Sequence, residues 1–220
     1  LIGLSGSDKS NAALGGSITD TASNSYSVAY RLFIGNVQAN GQHALWYAKN
    51  AAALNSGDTI TQNSASGAAQ FLRFSCFYAT GIDTVSPLDT GVTATATGSN
   101  NGTTGSTVTS GTAAASGNLA IATICFSALP TAFNNDSAHG WDTSIPVANS
   151  NLQGGNQVNA GTGELTYATS WAGAANGIYA TGIAAFKAIG GTTYSVSDSE
   201  SGSASDAVSG AASFAAAASE

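Results

Sequence analysis

The sequence predicts an all-β protein, an antiparallel β-sandwich of the jelly-roll type that is followed by an extended low-complexity C-terminal arm. Its apolar positions hold mostly Ala, Val, Ile, Phe and Tyr, which alternate with Ser or Thr as strand residues do. The 220 residues include 27 Gly, 3 Pro and no Met, so turn residues are frequent and helix formers are scarce. A helical turn is conceivable only at 50–54, where Gly57 follows closely.

Two apolar runs mark the centre of the predicted sandwich. The segments 71–79 and 119–126 are nearly continuous in apolar residues, so we expect central strands that are covered on both faces. Further strands are predicted at 26–34, 42–49, 57–60, 164–170 and 178–189, and polar edge strands or loops at 92–97 and 107–112. The dipeptide Asn40-Gly41 predicts a turn before the second of these strands.

A weak internal repeat runs through the strand pattern. Gly57-Asp58, Ser64 and Gly67-Ala68-Ala69 recur, at the same spacing, as Gly163-Glu164, Ser170 and Gly173-Ala174-Ala175. Two explanations stay open: equivalent hairpins in two halves of a sandwich, or chance similarity in a chain of simple composition.

The composition changes at Gly190-Gly191 and divides the chain into a sandwich domain at 1–190 and an acidic Ser/Ala-rich repeat at 191–220. The stretch 193–200 is echoed by 213–220. Such a segment has too few apolar residues for a core of its own. We expect a linker or an arm that becomes ordered on a partner, namely another subunit.

The charge balance excludes several function classes. The chain has 5 basic and 12 acidic residues, a net charge of −7, and only 8% charged residues. Nucleic-acid binding and binding to an anionic membrane both call for clustered Lys and Arg, so neither is expected. No apolar run is long enough for a membrane-spanning helix, and no signal-peptide pattern is expected in these residues.

Sequence patterns of enzymes and metal sites are not found. The chain has no G-x-S-x-G elbow and no Cys/His spacing typical of zinc. We therefore predict a non-enzymatic protein with no catalytic residues, no metal and no cofactor. Cys76 and Cys125 each lie in an apolar run; a disulfide between facing strands is one interpretation, and two buried free thiols is the favoured one.

Paired carboxylates are the pattern that a glycosidase would need. The candidate pairs are Asp83 with Asp89, and Asp136 with Asp142. The first pair flanks a turn, where Asp commonly accepts hydrogen bonds from backbone amides, and this capping role is the favoured interpretation.

The segment 134–142 is the most site-like part of the sequence. Amide and carboxylate oxygens bind sugar hydroxyls or calcium, and an exposed indole stacks on a sugar ring. The sequence lacks the D-x-D-x-D-G pattern of an EF-hand, so calcium is the less favoured ligand. The candidate glycan-binding residues are Asn134, Asn135, Asp136, His139, Trp141, Asp142 and Trp171, the last placed at a loop tip. Ordinary turn chemistry is the favoured interpretation of the segment 134–142, and a ligand role is the alternative. Trp46 is expected in the core, and His43 in the core or at an edge.

Four stretches carry a resemblance to a known group of proteins: TDTASNSY at 19–26, LWYAKN at 45–50, YATGIDTVSPLD at 78–89 and SGNLA at 116–120. The chain resembles a loose family of Gly/Ser/Thr-rich β-sandwich proteins encoded in bacterial genomes, prophages and phage virion gene clusters, over about residues 15–190. The family usually has Gly where Ser23 stands here. Acidic Ser/Ala repeats also follow such domains. The resemblance implies a jelly-roll-like module on a particle or cell surface, and it supplies no catalytic residues.

The sequence therefore leads to the hypothesis of a structural protein of a virion surface: a capsid decoration protein, a head spike or a tail-fibre head, with adhesion to host glycans. Its expected partners are copies of itself in a trimer or another symmetric assembly, other virion surface proteins, and host glycans. The alternative is a carbohydrate-binding module or adhesin domain of a secreted or cell-surface bacterial protein. A polysaccharide lyase or glycosidase is the third hypothesis.

Overall fold

The computed structural model describes residues 1–9, 17–34, 41–63, 71–99, 105–112, 117–126, 130–145, 152–159, 163–172, 178–189, 196–205 and 209–213. These residues form antiparallel sheets and one short 3₁₀ turn, Ser137–His139. The strands are β1 (Ile2–Lys9), β2 (Ser17–Asp20), β3 (Tyr26–Ile34), β4 (Gly41–Ala48), β5 (Thr59–Asn63), β6 (Phe71–Ala79), β7 (Leu88–Ser99), β8 (Gly105–Thr112), β9 (Asn118–Phe126), β10 (Ala132–Asn134), β11 (Asp142–Ile145), β12 (Leu152–Asn159), β13 (Glu164–Ala172), β14 (Ile178–Phe186), β15 (Val196–Ser205) and β16 (Ser209–Ser213).

The strands assemble into four sheets. The first inner sheet has the order β15-β6-β1-β4-β3, and the second inner sheet has the order β11-β12-β9-β14-β7. The first outer sheet is β16-β5-β2, and the second outer sheet is β10-β13-β8. The prediction of an all-β fold of packed antiparallel sheets is therefore confirmed; the jelly-roll connectivity stays a prediction.

Three apolar clusters show how the sheets stack. Ile18 and Ile60 of the first outer sheet pack with Trp46 of the first inner sheet. Leu45 and Phe77 on the opposite face of that sheet pack against residues of β9 and β14 in the second inner sheet. The other face of the second inner sheet packs against the second outer sheet through Leu165, Tyr167, Trp171 and their neighbours. The molecule is thus a stack of four β-layers, with the two inner sheets covered on both faces.

This layering explains the apolar runs of the sequence. All nine residues of β9 are buried, because β9 lies in the middle of an inner sheet between β12 and β14. β6 lies between β15 and β1 in the other inner sheet. Both predicted central strands are confirmed. The polar strands β7 and β8 lie at sheet edges, as predicted.

The topology repeats itself. In the first half of the chain β6, β1, β4 and β3 are neighbours in that order, and in the second half β14, β9, β12 and β11 are neighbours in the same order. β5 pairs with β2 as β13 pairs with β10. Each strand of the first half therefore has an equivalent eight strands later. The internal repeat of the sequence aligns β5 with β13, which agrees with equivalent hairpins in two halves of the molecule. Both Gly-Ala-Ala segments of the repeat lie outside the described residues.

The last two strands of each half are exchanged between the halves. β7 and β8 pair with β14 and β13 of the second half. β15 and β16 pair with β6 and β5 of the first half. Each inner and outer sheet pair is completed by two strands from the other half of the chain, an arrangement equivalent to a domain-swapped dimer in a single chain.

The connections that carry this exchange lie side by side. One connection leaves β6 at Ala79 and reaches β7, and the other leaves β14 at Phe186. Ile82 and Ala188 form an antiparallel bridge between them, and the amide of Ile189 donates to the carbonyl of Gly81 at 2.9 Å. We call residues 80–87 and 187–189 the crossover.

The C-terminal segment consists of strands where it is described. β15 and β16 lie at the edges of the first inner and first outer sheets of the same chain. The domain boundary at residue 190 and the contact with another subunit stay predictions. The two similar segments 193–200 and 213–220 lie partly outside the described residues. Asn40 of the predicted Asn-Gly turn also lies outside them. The described residues contain no helix that is long and apolar enough to cross a membrane. The residues 50–54 contain no helical turn.

Candidate functional site

The loop between β10 and β11 is built on a single short turn. Asp136 caps the 3₁₀ turn Ser137–His139, and Gly140 ends it in the left-handed conformation at φ 80° and ψ 17°. The amide of Gly140 donates to the carbonyl of Ser137, and the amide of Trp141 donates to the carbonyl of Asp136. Glycine fits this position because it has no Cβ to oppose a positive φ. The turn gives the loop one defined shape at the end of the second outer sheet.

The Asp136 carboxylate is buried and attaches the loop to the sheet. Its Oδ2 accepts a hydrogen bond from the amide of Ala168 in β13 at 2.6 Å. Its Oδ1 accepts from the amide of His139 at 3.2 Å. The side chain is 3% exposed. Because backbone amides already bind both oxygens, this carboxylate stabilises the loop rather than facing a ligand.

His139 is the exposed partner of that carboxylate. Its Nδ1 lies 2.8 Å from both carboxylate oxygens, and since a carboxylate only accepts hydrogen bonds, Nδ1 is the donor. The imidazole is 49% exposed. The aspartate therefore holds one tautomer and one orientation of a ring that reaches the surface, which suits hydrogen bonding to a hydroxyl group.

The two asparagines of the loop differ in their environment. Asn134 is exposed and donates from Nδ2 to the Ser170 hydroxyl at 3.1 Å. Asn135 is half-buried; its Nδ2 donates to the carbonyl of Trp141 at 3.3 Å, and its Oδ1 accepts from the Tyr167 hydroxyl at 3.0 Å. Asn134 and His139 are thus the exposed predicted residues, while Asn135 supports the turn from below.

The expected exposure of the two tryptophans is wrong. Trp141 is buried, donates from Nε1 to the carbonyl of Thr166 at 2.7 Å, and meets the Tyr167 ring edge-on at 5.2 Å. Trp171 does not lie at a loop tip: it belongs to β13 and is buried between Phe126 and Tyr179, each with its ring centre 5.1 Å away. The apolar gap between two sheets holds both indoles, so neither face is open to a sugar ring.

The remaining predicted carboxylates are placed as follows. Asp142 begins β11 opposite Asn156, and its side chain lies outside the described part of the chain. Asp83 accepts from the amides of Val85 and Ser86 at 2.7 and 3.2 Å, and Asp89 accepts from the amide of Gly91 at 3.2 Å. Both carboxylates therefore accept hydrogen bonds from backbone amides, as predicted: Asp83 caps the turn at 83–86, whereas Asp89 binds an amide within β7. The Val85 hydrogen bond is the main cause that lowers the pKa of Asp83.

The core holds one polar cluster that the sequence did not reveal. Tyr30 and His43 of the first inner sheet both reach the Thr123 hydroxyl of the second inner sheet; the His43 Nε2 lies 2.7 Å from it, and Tyr30 also donates to the carbonyl of Gly182 at 3.3 Å. All three side chains are buried. The sequence signal for this cluster was a lone histidine in an alternating strand. The burial of His43 confirms its expected place in the core.

Cys76 and Cys125 are buried thiols that form no disulfide with each other, which confirms the favoured interpretation. Cys125 packs in the same apolar cluster as Tyr30. Burial raises the pKa of each thiol far above its ordinary value, so neither is a reactive nucleophile in the folded chain. Trp46 is buried in the core, as predicted.

Across the residues that the structure describes, no group of three or more His, Cys, Asp or Glu side chains could hold a metal ion. No protein-family model, curated protein or solved structure matches this chain.

Proposed function

We propose that this chain is a non-enzymatic structural protein of a virion surface, as a capsid decoration protein, head spike or tail-fibre head, and that it contacts host glycans through the loop at 134–142. The observation that carries the proposal is the arrangement of polar groups. The buried side chains of Tyr30, His43 and Thr123 bind one another across the inner sheets, and the Asp136 carboxylate binds backbone amides.

A scaffold of this kind suits display on a surface. Four stacked layers bury large side chains on both faces of each inner sheet. The chain also has few charged residues and no excess of basic ones, so long-range electrostatic attraction of an anionic partner is not expected. These properties support a structural role for the bulk of the chain.

The glycan contact that we propose is small. Asn134 and His139 are the exposed predicted residues of the loop, and an exposed amide with an oriented imidazole can bind one or two sugar hydroxyls. Such a contact is weak in one copy and gains about 10²- to 10⁴-fold when many copies bind together. A surface with many copies therefore compensates for the absence of a stacking indole in this site.

Location is tested on purified particles. Antibodies against the chain and quantitative mass spectrometry should detect it on virions. Its copy number should match the symmetry of the capsid or of the tail. Secretion of the chain in free form, with none on particles, would instead favour a carbohydrate-binding module or adhesin domain of a bacterial protein.

Adhesion is tested with the chain coupled to beads at high density and applied to a glycan array. Asn134→Ala with His139→Ala should abolish the signal, whereas Ser25→Ala, an exposed substitution in the other half of the chain, should leave it unchanged. Equal binding by the double variant would refute the loop as the contact. Depolymerisation of a polysaccharide by the wild-type chain would refute the non-enzymatic role.

A further inference from the structure

The edge strands β15 and β16 are held differently from their equivalents β7 and β8. β7 and β8 place Val92 and Val108 in the apolar cluster between the second inner and second outer sheets, with Ala94 and Ala96 packed against it. The sequences of β15 and β16 are VSDSESGSAS and SGAAS, in which Val196 is the sole large apolar residue. Burial of two valines stabilises a strand pair by about 1.5–3 kcal/mol each, whereas the residue types of β15 and β16 offer little apolar area for such burial.

The backbone ladder therefore provides most of the attachment of β15 and β16. β15 pairs with β6 at nine positions, from Val196 opposite Ala79 to Ser205 opposite Phe71. β16 pairs with β5 at five positions. Backbone hydrogen bonds of this kind form equally well with the same segment of another copy, because they do not depend on which chain supplies the strand.

We propose that this strand pair is exchangeable and that β15 and β16 of a second copy occupy the edges of β6 and β5, which links copies of the chain to one another. The chain already makes the reciprocal exchange between its own halves, through connections that lie together at the crossover. Exchange between copies keeps every strand pairing of the single chain and changes only which copy supplies the two strands.

Protein concentration determines whether β15 and β16 pair within their own chain or with a second copy. A strand pair on a short connection competes at an effective concentration in the millimolar range. Exchange between copies is therefore minor in dilute solution and rises as protein concentration approaches about 1 mM. A surface crowded with copies provides such local concentrations. The inference thus rests on the proposed function for its setting, while the exchange itself is a property of the isolated chain.

A disulfide between two different copies tests the exchange. Ser197 lies opposite Tyr78 in the pairing of β15 with β6, and the Tyr78 side chain is 44% exposed. Directly opposite residues of an antiparallel pair have the spacing that a disulfide needs. A Tyr78→Cys chain and a Ser197→Cys chain form this bond above the background of random contact only if the strand of the second copy lies on the edge of the first.

The two variants are refolded together at concentrations from about 10 µM to about 1 mM, oxidised mildly, and analysed on a non-reducing gel. We expect a mixed dimer whose yield rises with concentration. A Tyr78→Cys chain mixed with a Ser25→Cys chain, whose cysteine lies in a turn of the first half, gives the background of random contact. A mixed dimer no more abundant than this background at every concentration would overturn the proposal.

A single chain with both substitutions, Tyr78→Cys and Ser197→Cys, controls the register. It should form an internal disulfide in dilute solution. Failure to do so would show that β15 does not lie on β6 and would overturn the proposal as well. None of these results depends on where the protein is found, so they leave the virion-surface proposal to its own test.

Discussion

His43 and Thr123 lie on facing strands of the two inner sheets, and the Nε2 of the histidine lies 2.7 Å from the threonine hydroxyl. Tyr30 reaches the same hydroxyl from a neighbouring strand, with its ring centre 5.9 Å from that of His43. Since an unpaired buried polar group is costly, these hydrogen bonds favour one relative placement of the two sheets over any shifted one. The cluster thereby determines how the two halves of the molecule meet.

Replacement of Thr123 by Val removes the hydroxyl that both partners use. We expect Thr123→Val to lower the free energy of unfolding by about 1–3 kcal/mol, because Tyr30 and His43 lose a buried partner. Denaturant unfolding of the two proteins measures the difference. Thr181→Val is the matched control: the Thr181 hydroxyl is also buried but has no hydrogen-bond partner in the described part of the chain, so this change should be neutral or stabilising. Equal losses in both variants would contradict the role of the cluster.

Gly182 gives the Tyr30 ring its space. A Cβ at this position would lie 2.6 Å from Cζ of Tyr30, which is closer than packed carbon atoms approach. We expect Gly182→Ala to lower the free energy of unfolding by about 1–3 kcal/mol through overpacking. Gly91→Ala, where the nearest atom lies at an ordinary 3.5 Å, should change it little. Thermal unfolding of the two variants separates the outcomes, and an unchanged Gly182→Ala protein would contradict this contact.

Gln62 is a buried amide, and neither of its side-chain polar atoms has a hydrogen-bond partner among the residues that the structure describes. Removing an unpaired buried polar group removes its desolvation penalty. We therefore expect Gln62→Leu, which keeps the approximate volume, to raise the free energy of unfolding by about 1–3 kcal/mol. Gln62→Glu should lower it, because the same site would then bury a charge. A destabilised Gln62→Leu protein would mean that the amide has a partner such as an ordered water.

The exchanged strands make the two halves dependent on each other. A chain divided between residues 114 and 115 yields two fragments, each of which lacks the strands that complete its sheets. We expect the fragments to remain bound after cleavage at an inserted protease site and to elute together in size-exclusion chromatography. Each fragment expressed alone should be unfolded or aggregated by circular dichroism and light scattering. Two separately folded fragments would contradict the exchange.

The acid sensitivity of the crossover follows from Asp83. Amide hydrogen bonds, first that of Val85, lower the pKa of Asp83 from 3.8. A group whose pKa is lower in the folded state stabilises that state above its unfolded pKa and loses the contribution as the pH falls. The difference in unfolding free energy between wild type and Asp83→Asn should be constant from about pH 5 to about pH 8 and shrink below about pH 4. A difference that grows on acidification would contradict this assignment.

Local patterns predicted much of the fold. The apolar runs of β6 and β9 indicated strands covered on both faces, and the Thr-rich sequences of β7 and β8 indicated edges. The strand pattern did not predict β1, β2 or β12. β1 and β12 are rich in Gly, Ser, Asn and Gln, and β2 has only four residues. Pairing with neighbouring strands orders these segments.

The exchange and the buried tryptophans could not be predicted because both depend on distant parts of the chain. The residues 80–87 do not indicate whether the next strand, β7, joins the sheet of β6 or a sheet of the second half. Trp171 follows a run of alternating residues and precedes a Gly-Ala-Ala segment, so it resembled a loop residue; only the arrival of Phe126 and Tyr179 from other strands buries it.

The crossover also determines how the molecule responds to mechanical load. A tension that draws the two halves apart acts on two antiparallel connections that are hydrogen-bonded to each other, and each connection leads to strands that pair with the opposite half. Separation of the halves requires four strand ladders to open: those of β7 with β14, β8 with β13, β15 with β6 and β16 with β5. A force on either half is thereby opposed by strand pairings to which both halves contribute.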